Sequence, residues 1–298
     1  MASTETRELE VRSSEPPKLR MLAQIRAILR HREVLGGLTA KDLKVKYKST
    51  ALGVIWSMLN PLMYLLVFWV VFTHFMPSGI EHFAEYLLSG LLGYTLFSTA
   101  FAGATGSIVD NASLVSKVAF PREILPLAAI GASLVNFFYQ FVVLILFLIA
   151  IGFPFLGANL LLVPGALAVL LLFTTAVGIG AAALNVRYRD TRHLIELSLV
   201  AWFWVTPIVY PASIVLERFG GASLATKLYL ANPLTAVTLA FQRAIYGNGG
   251  PLHLAQLPDP GLTWYWYRLG LVAAASLVLL FLTWRVFFRM SGDFAEEL

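Results

Sequence analysis

Long uncharged runs alternate with short charged stretches along this chain, and the spacing of the charges predicts where helices cross a membrane. A Lys, Arg or Asp at the centre of such a helix costs roughly 2.5 to 3.5 kcal/mol, so each unbroken run marks a candidate. Between Lys48 and Glu81 lie 32 uncharged residues and between Glu85 and Asp110 another 24, each enough for one span of about 20 residues. From Glu123 to Arg187 there are 63, enough for two spans, with Gly152, Pro154, Gly157 and Asn159 clustered where a turn belongs. Glu196 to Glu217 leaves 20 for a fifth span. Arg268 to Arg285 leaves 16, which reach full length when both arginines snorkel to the interfaces. The pattern predicts an all-α membrane protein of six spans, near residues 51–75, 86–109, 127–152, 160–184, 194–216 and 265–288, in a transmembrane domain over 51–290.

Three segments stand outside that scheme. Residues 1–18 are polar, mixed in charge and without an apolar core of signal-peptide type, so they read as a disordered cytoplasmic lead-in. Within 19–50, Leu22, Ile25, Ile28 and Leu29 fall at helical spacing among Arg20, Arg26, Arg30 and Arg32, the pattern of an amphipathic helix on the cytoplasmic interface. Between spans five and six, residues 228–242 form an uncharged stretch of 15, long enough to dip into a bilayer and too short to cross it. It contains Asn232 and Pro233, and reads either as a re-entrant gate helix or as a plain extracytoplasmic loop helix. Residues 291–298 are left as a cytoplasmic tail.

Composition agrees, with 58% apolar residues, 13% charged residues and a mean hydropathy of +0.74. The net charge of +5 could point to nucleic acid, but its distribution points to topology instead. The first 50 residues carry 11 Lys or Arg, and Lys117, Arg122, Arg187, Arg189, Arg192, Arg285 and Arg289 follow alternate spans. By the positive-inside rule both termini are expected in the cytoplasm, and no nucleic-acid partner is expected. Cysteine is absent, which removes disulfides, thiolate metal sites and thiol nucleophiles.

Catalytic constellations are missing as well. There is no Gly-Lys dipeptide for a P-loop and no Gly-x-Ser-x-Gly elbow, and the five histidines lack metal-ligand spacing. No metal site and no bound cofactor are expected. Glu196, at the cytoplasmic start of span five, is the one candidate for an intramembrane carboxylate, and Arg192 stands one helical turn before it as an ion-pair partner. What remains is aromatic. Tyr64, Phe68 and Phe72 repeat every four residues along span one, and Trp202 and Trp204 lie on span five, where Pro207 and Pro211 interrupt the helix. Such rings either pack or offer sugars a sliding surface. Ser98, Ala102 and Gly106, and Ala176 with Gly180, follow the spacing that lets helix backbones approach closely. Two basic loops complete the reading. One carries Leu114, Lys117, Phe120, Pro121, Arg122 and Glu123, with Phe120 as an apolar knob suited to docking. The other carries Arg187, Arg189 and Asp190, which must face water, protein or headgroups.

The strings YKSTALGVIWSMLNPLMYLL from Tyr47, SKVAFPREILP from Ser116, NVRYRD from Asn185, VTPIVYP from Val205 and ANPLTAV from Ala231 together resemble the permease subunit of ABC-2 type polysaccharide exporters, in the Wzm (O-antigen) and teichoic-acid export branch. The likeness covers about residues 20–290 and implies the ABC-2 exporter fold. It implies a homodimer in the bacterial inner membrane, with two copies of a separate cytoplasmic ATPase that bind ATP and Mg2+. The cargo it implies is a lipid-linked polysaccharide of O-antigen, teichoic-acid or cell-wall galactan type. Residues Leu114–Glu123 then correspond to the loop that docks on the ATPase, the region around Asn232 and Pro233 to an extracytoplasmic gate, and Tyr64, Phe68, Phe72, Trp202 and Trp204 to channel rings. An ABC-2 exporter of a drug or small lipid is the nearest alternative. An ion-coupled carrier or a membrane-bound transferase is the alternative of another class.

Overall fold

The computed structural model describes residues 21–47, 55–71, 74, 80–118, 120–220, 223–248 and 261–298, so the expected lead-in 1–18 and Phe72 lie outside the described residues. Described residues are almost all helical, and none is in a strand. The chain enters through α1 (Met21–Arg30) and α2 (Arg32–Tyr47), which meet at His31, in the 19–50 region where one amphipathic helix was expected. Next come α3 (Ile55–Val70), α4 (Phe83–Asp110), α5 (Ala112–Lys117), α6 (Ile124–Ala150) and α7 (Leu162–Arg187). They are followed by α8 (Thr191–Val205), α9 (Ala212–Phe219), α10 (Leu224–Ala231), α11 (Pro233–Ile245), α12 (Leu262–Met290) and a short α13 (Phe294–Glu297).

Among the described residues four helices, α4, α6, α7 and α12, are long and apolar enough to cross a membrane, and the chain is a multi-pass membrane protein. Of these α4 is the most enclosed, with α6 and α7 on either side, α11 near its N-terminal end, and α3 and α8 along its remaining face. α7 packs most extensively on α12, where Gly180 leaves no room for a side chain: a Cβ there would stand 2.9 Å from Thr283 Cγ2. Ser98, Ala102 and Gly106 do something else. Gly106 lies under the side chain of Asp110 and that of Arg192 from α8, where a Cβ would stand 2.8 Å from Asp110 Oδ2 and 3.3 Å from Arg192 Nη1, so the small residue there makes room for an ion pair.

The fifth predicted span is corrected. Instead of one helix over 194–216, α8 stops at Val205, residues 206–210 are irregular, and α9 begins at Ala212. Proline explains it: Thr206 before Pro207 takes an extended conformation (ψ 137°), and Pro211 itself is extended (ψ 140°), so neither turn can propagate. The second predicted span also starts earlier than 86. Glu85 lies inside the first turn of α4, buried, with His82 Nδ1 3.1 Å from its carboxylate. A single partnered carboxylate at a helix N-terminus is tolerable there. The turn expected near 152–159 forms as predicted, with Gly152 at φ +70°.

The molecule has two chemically different ends. One gathers α1, α5, the α7–α8 loop and the C-terminal ends of α4 and α12, with most of the described Lys and Arg. At the other end meet the α6–α7 turn, the start of α4 and residues 246–248, tied by Asn159 Nδ2 to Asn248 Oδ1 (2.7 Å) and Tyr246 Oη to the Glu81 carbonyl (2.9 Å).

Candidate functional site

A cavity of about 270 Å³ opens between α3, α4 and α8, lined on one side by Tyr64, Phe68, Phe203 and Trp204 and on the other by Tyr94, Thr95, Ser98 and Thr99. The rings are ordered against one another. Tyr64 stacks on Phe68 at 6.1 Å between centroids, Phe68 stacks on Phe203 at 5.9 Å, and Trp204 meets Phe203 edge-on at 5.5 Å. Their outer faces stay open, with Tyr64 43% and Trp204 55% exposed. Facing them, the Thr99 hydroxyl donates to the Thr95 carbonyl at 2.7 Å and the Ser98 hydroxyl to the same carbonyl at 3.2 Å, so both hydroxyl oxygens keep lone pairs to accept with. The arrangement presents aromatic faces opposite hydroxyls, a surface suited to a polyhydroxylated ligand.

Of the expected rings, Tyr64, Phe68 and Trp204 come together and Trp202 does not. Two residues apart on a helix, Trp202 and Trp204 point to nearly opposite sides. Trp202 turns inward against Phe97 (5.2 Å) and Phe173 (6.0 Å). Sequence reading missed Tyr94, Phe203 and the hydroxyl row. Thr95 and Thr99 are spaced one turn apart, but a threonine in an apolar helix usually bonds its own backbone, as Thr99 does, and so gives little signal.

Asn232 and Pro233 sit where α10 meets α11. Pro233 opens α11, and the Asn232 side chain accepts from Leu234 N at 3.1 Å as its cap. The same oxygen accepts from Trp202 Nε1 at 2.9 Å, while its amide donates to Thr206 Oγ1 at 3.3 Å. The break in α8 is held from other sides too. Gln242 Nε2 of α11 donates to the Pro207 carbonyl at 2.8 Å, and Tyr86 Oη of α4 donates to the Tyr210 carbonyl at 2.9 Å. Carbonyls freed by the two prolines are thus satisfied by side chains, as a break within an apolar layer requires. Every residue of α11 from Leu234 to Ile245 is buried.

At the basic end, Lys117, Arg187, Arg189 and Asp190 are exposed, Leu114 is half-buried, and Arg187 lies over the Tyr188 ring at 5.8 Å. Phe120 does not project as a knob. It is half-buried against the cluster of Ile28, Val115, Phe287 and Phe294, while Val118 is the exposed apolar residue of that loop. Pro121 and Arg122 are half-buried and Glu123 is buried, so the segment turns into the molecule. Burial pushes the Glu123 carboxyl above its ordinary value and the Arg122 guanidinium below its own. Arg192 bridges Asp110 on α4 (3.3 Å) and Glu196 on its own helix (3.6 Å); the sequence showed the second pair and not the first. Among the described residues no cluster of His, Asp and Glu could hold a metal ion.

Comparison with known proteins places these features. The family model for ABC-2 type transporters matches residues 33–246. The chain is 30% identical, over 93% of its length and all of the relative's, to the O-antigen export system permease protein RfbA of Myxococcus xanthus. It is 29% identical, over 73% of its length and 81% of the relative's, to a protein of the same name from Klebsiella pneumoniae.

Proposed function

Because the chain belongs to the ABC-2 type transporter family, we propose that it is the permease subunit of an ATP-driven exporter whose cargo is a lipid-linked polysaccharide. The observation that carries the cargo is the cleft. Stacked rings of Tyr64, Phe68, Phe203 and Trp204 oppose the Thr95, Ser98 and Thr99 hydroxyls, giving sugar units an apolar face to slide on and acceptors to exchange. A polymer longer than the bilayer is thick cannot be carried by one alternating pocket, so the cargo threads through stepwise.

The cleft is open on one side in a single chain, and a second copy closes it. α3 and α8 count as spans one and five, bringing the total to six, with α10 and α11 as a re-entrant pair behind the channel. The concentration of basic residues at one end supports a reading in which that end and both termini face the cytoplasm of a bacterial inner membrane. A separate ATPase, two copies per dimer, supplies ATP and Mg2+ chemistry that this sequence has no P-loop to perform. It docks on the exposed residues of the basic loops, Lys117, Val118, Arg187, Arg189 and Asp190. Leu114, Phe120, Pro121, Arg122 and Glu123 then transmit its closure inward to α12 and α4. Asn232 and Pro233 form part of the outer gate.

The test is reconstitution of the chain with its cognate ATPase in vesicles preloaded with lipid-linked glycan. ATP-dependent export that stops when either protein is omitted supports the reading. Export by the permease alone, export driven by a proton gradient, or transport of a small lipid with the glycan left behind overturns it.

A further inference from the structure

A second cavity, about 300 Å³, lies at the basic end between α1, the loop before α6 and the C-terminal end of α12, remote from the cleft. Its chemistry is unbalanced. Arg122 Nη1 and Gln24 Oε1 are both buried there without a hydrogen-bond partner among the described residues. A cationic donor and a neutral acceptor removed from water each need a complement, since an unmade hydrogen bond costs the full desolvation of the group. Arg122 is also held in place, its guanidinium over the buried Phe294 ring at 5.8 Å. Glu123 adjoins the cavity but does not neutralise it fully, because burial favours its protonated form.

The surroundings indicate what fills the space. Gln24 and Ala27 present one side of α1 to the cavity and Ile28 is buried beside them, while Ile25 and Leu29, on the adjoining side, are exposed apolar residues. Arg26 and Arg30 are exposed. A helix with that distribution lies in a headgroup layer, with Ile25 and Leu29 toward the acyl chains. The cavity therefore opens at the depth where phosphodiesters are concentrated.

We propose that the cavity framed by Gln24, Arg122 and Ser291 is a binding site for one membrane phospholipid whose headgroup carries a hydrogen-bond donor. Arg122 takes the phosphodiester, which accepts its unpaired N–H. A headgroup hydroxyl or ammonium donates to Gln24 Oε1. Apolar walls from Phe120 and Phe288 receive the glycerol end. Seated there, the lipid staples α1 to the loop before α6 and to the end of α12, and it does so whatever cargo the protein moves.

Native mass spectrometry of the detergent-purified full chain tests this, with phosphatidylglycerol, phosphatidylethanolamine, phosphatidylcholine or inorganic phosphate added at equal concentration. One lipid should be retained, with phosphatidylglycerol and phosphatidylethanolamine held about tenfold more than phosphatidylcholine, the worth of one charge-assisted or buried hydrogen bond. Arg122→Gln should lose that retention, and Gln24→Leu should abolish the preference over phosphatidylcholine. Arg189→Gln, at an exposed arginine of the neighbouring loop, should leave both unchanged. Equal retention of all three lipids, or an Arg122→Gln chain that stays monodisperse and keeps its lipid, overturns the proposal. Occupancy by inorganic phosphate that displaces lipid assigns the site to a soluble anion and overturns it too. If Arg122→Gln does not fold, Gln24→Leu alone decides through the loss or survival of headgroup preference.

Discussion

The indole N–H of Trp202 donates to the side-chain oxygen of Asn232 at 2.9 Å, joining the last turn of α8 to the first turn of α11. Because that oxygen also caps α11 and the amide of the same residue reaches Thr206, one side chain holds a helix start, a helix end and the ring between them. Movement of α10 and α11 away from α8 must break the two bonds that cross to α8, those to Trp202 and Thr206, while the cap to Leu234 travels with α11.

Asn232→Ala should release this junction. Loss of the cap costs about 1 kcal/mol and an unpaired Trp202 donor about 1 to 3 kcal/mol more. The expected result is a melting temperature several degrees lower and an ion leak through reconstituted vesicles without ATP. Trp202→Phe keeps the ring and removes the donor, so it should show the same leak with a smaller loss of stability. A tight, wild-type vesicle for both variants would mean the junction bears no gate.

The two tryptophans of α8 should separate function from folding. Trp204→Ala and Tyr64→Ala remove rings that face the open cleft, and exposed truncations change stability by about 0.5 kcal/mol or less. Export should fall severalfold while thermal unfolding hardly moves. Phe97→Ala, which empties the core beneath Trp202, should instead cost about 3 to 5 kcal/mol. Export rates normalised to folded protein distinguish the cases, and equal export from Trp204→Ala would remove the cleft from the pathway.

Charge spacing made the four long helices legible, because an apolar run bounded by charges has one economical arrangement in a bilayer. The turn at Gly152 was legible for another reason, the cluster of Gly152, Pro154, Gly157 and Asn159 inside an uncharged run long enough for two spans. Charge spacing set span five over 194–216 and Pro207 and Pro211 marked an interruption in it, but neither showed that the helix stops at Val205 and restarts at Ala212. Whether prolines break a span depends on who satisfies the freed carbonyls, and Tyr86 and Gln242 are 121 and 35 residues from Pro207 in sequence. Aromatic residues were visible as types but not as faces: nothing in the spacing told Trp202 from Trp204 until neighbours on α4 and α7 were fixed. Arg122 misled in the other direction, since a loop arginine reads as exposed and only the packing of Phe294 and α1 shows it turned inward.

Gly90 and Gly93 bring α11 onto α4, and enlarging them should disturb the α8–α11 junction from behind. A Cβ on Gly90 would stand 2.8 Å from Gln242 Nε2, and one on Gly93 would stand 3.0 Å from the Phe241 ring. Gln242 cannot swing aside without leaving the Pro207 carbonyl. Gly90→Ala should therefore cost about 1 to 3 kcal/mol by overpacking and increase vesicle leak. Gln242→Ala on the Gly90→Ala background removes the clash, so recovered stability relative to the sum of the single changes is the diagnostic.

The Arg192 bridge to Asp110 crosses from α8 to α4 at the basic end, with both side chains about half exposed. Such a pair contributes about 0 to 1 kcal/mol and is screened by salt, so Asp110→Asn should leave folding intact. Its expected effect is on transport: charge reversal at either residue should reduce ATP-driven export, and the double swap, Asp110→Arg with Arg192→Asp, should restore part of it. No recovery in the swap would show that the individual charges, not their pairing, matter.

Glu123 should make stability fall as pH rises. Desolvation lifts its carboxyl in the folded chain, while Trp284 and the Arg122 charge pull the other way without prevailing. The folded state therefore holds that proton more tightly than the unfolded chain does. Below the ordinary carboxylate value both states are protonated and the group is neutral to stability; above it the unfolded chain ionises first, and stability declines until the pH passes the raised folded value. Glu123→Gln cannot ionise and should follow a flat course through that window, matching the natural chain in acid and exceeding it at neutral pH. Thermal unfolding of both proteins across that range, at fixed detergent and salt, reads the difference directly. A natural chain more stable than Glu123→Gln at neutral pH would show that Arg122 holds Glu123 as a carboxylate. The inward-facing segment would then be an ion pair with its charge already spent, leaving Arg122 nothing for a lipid phosphate.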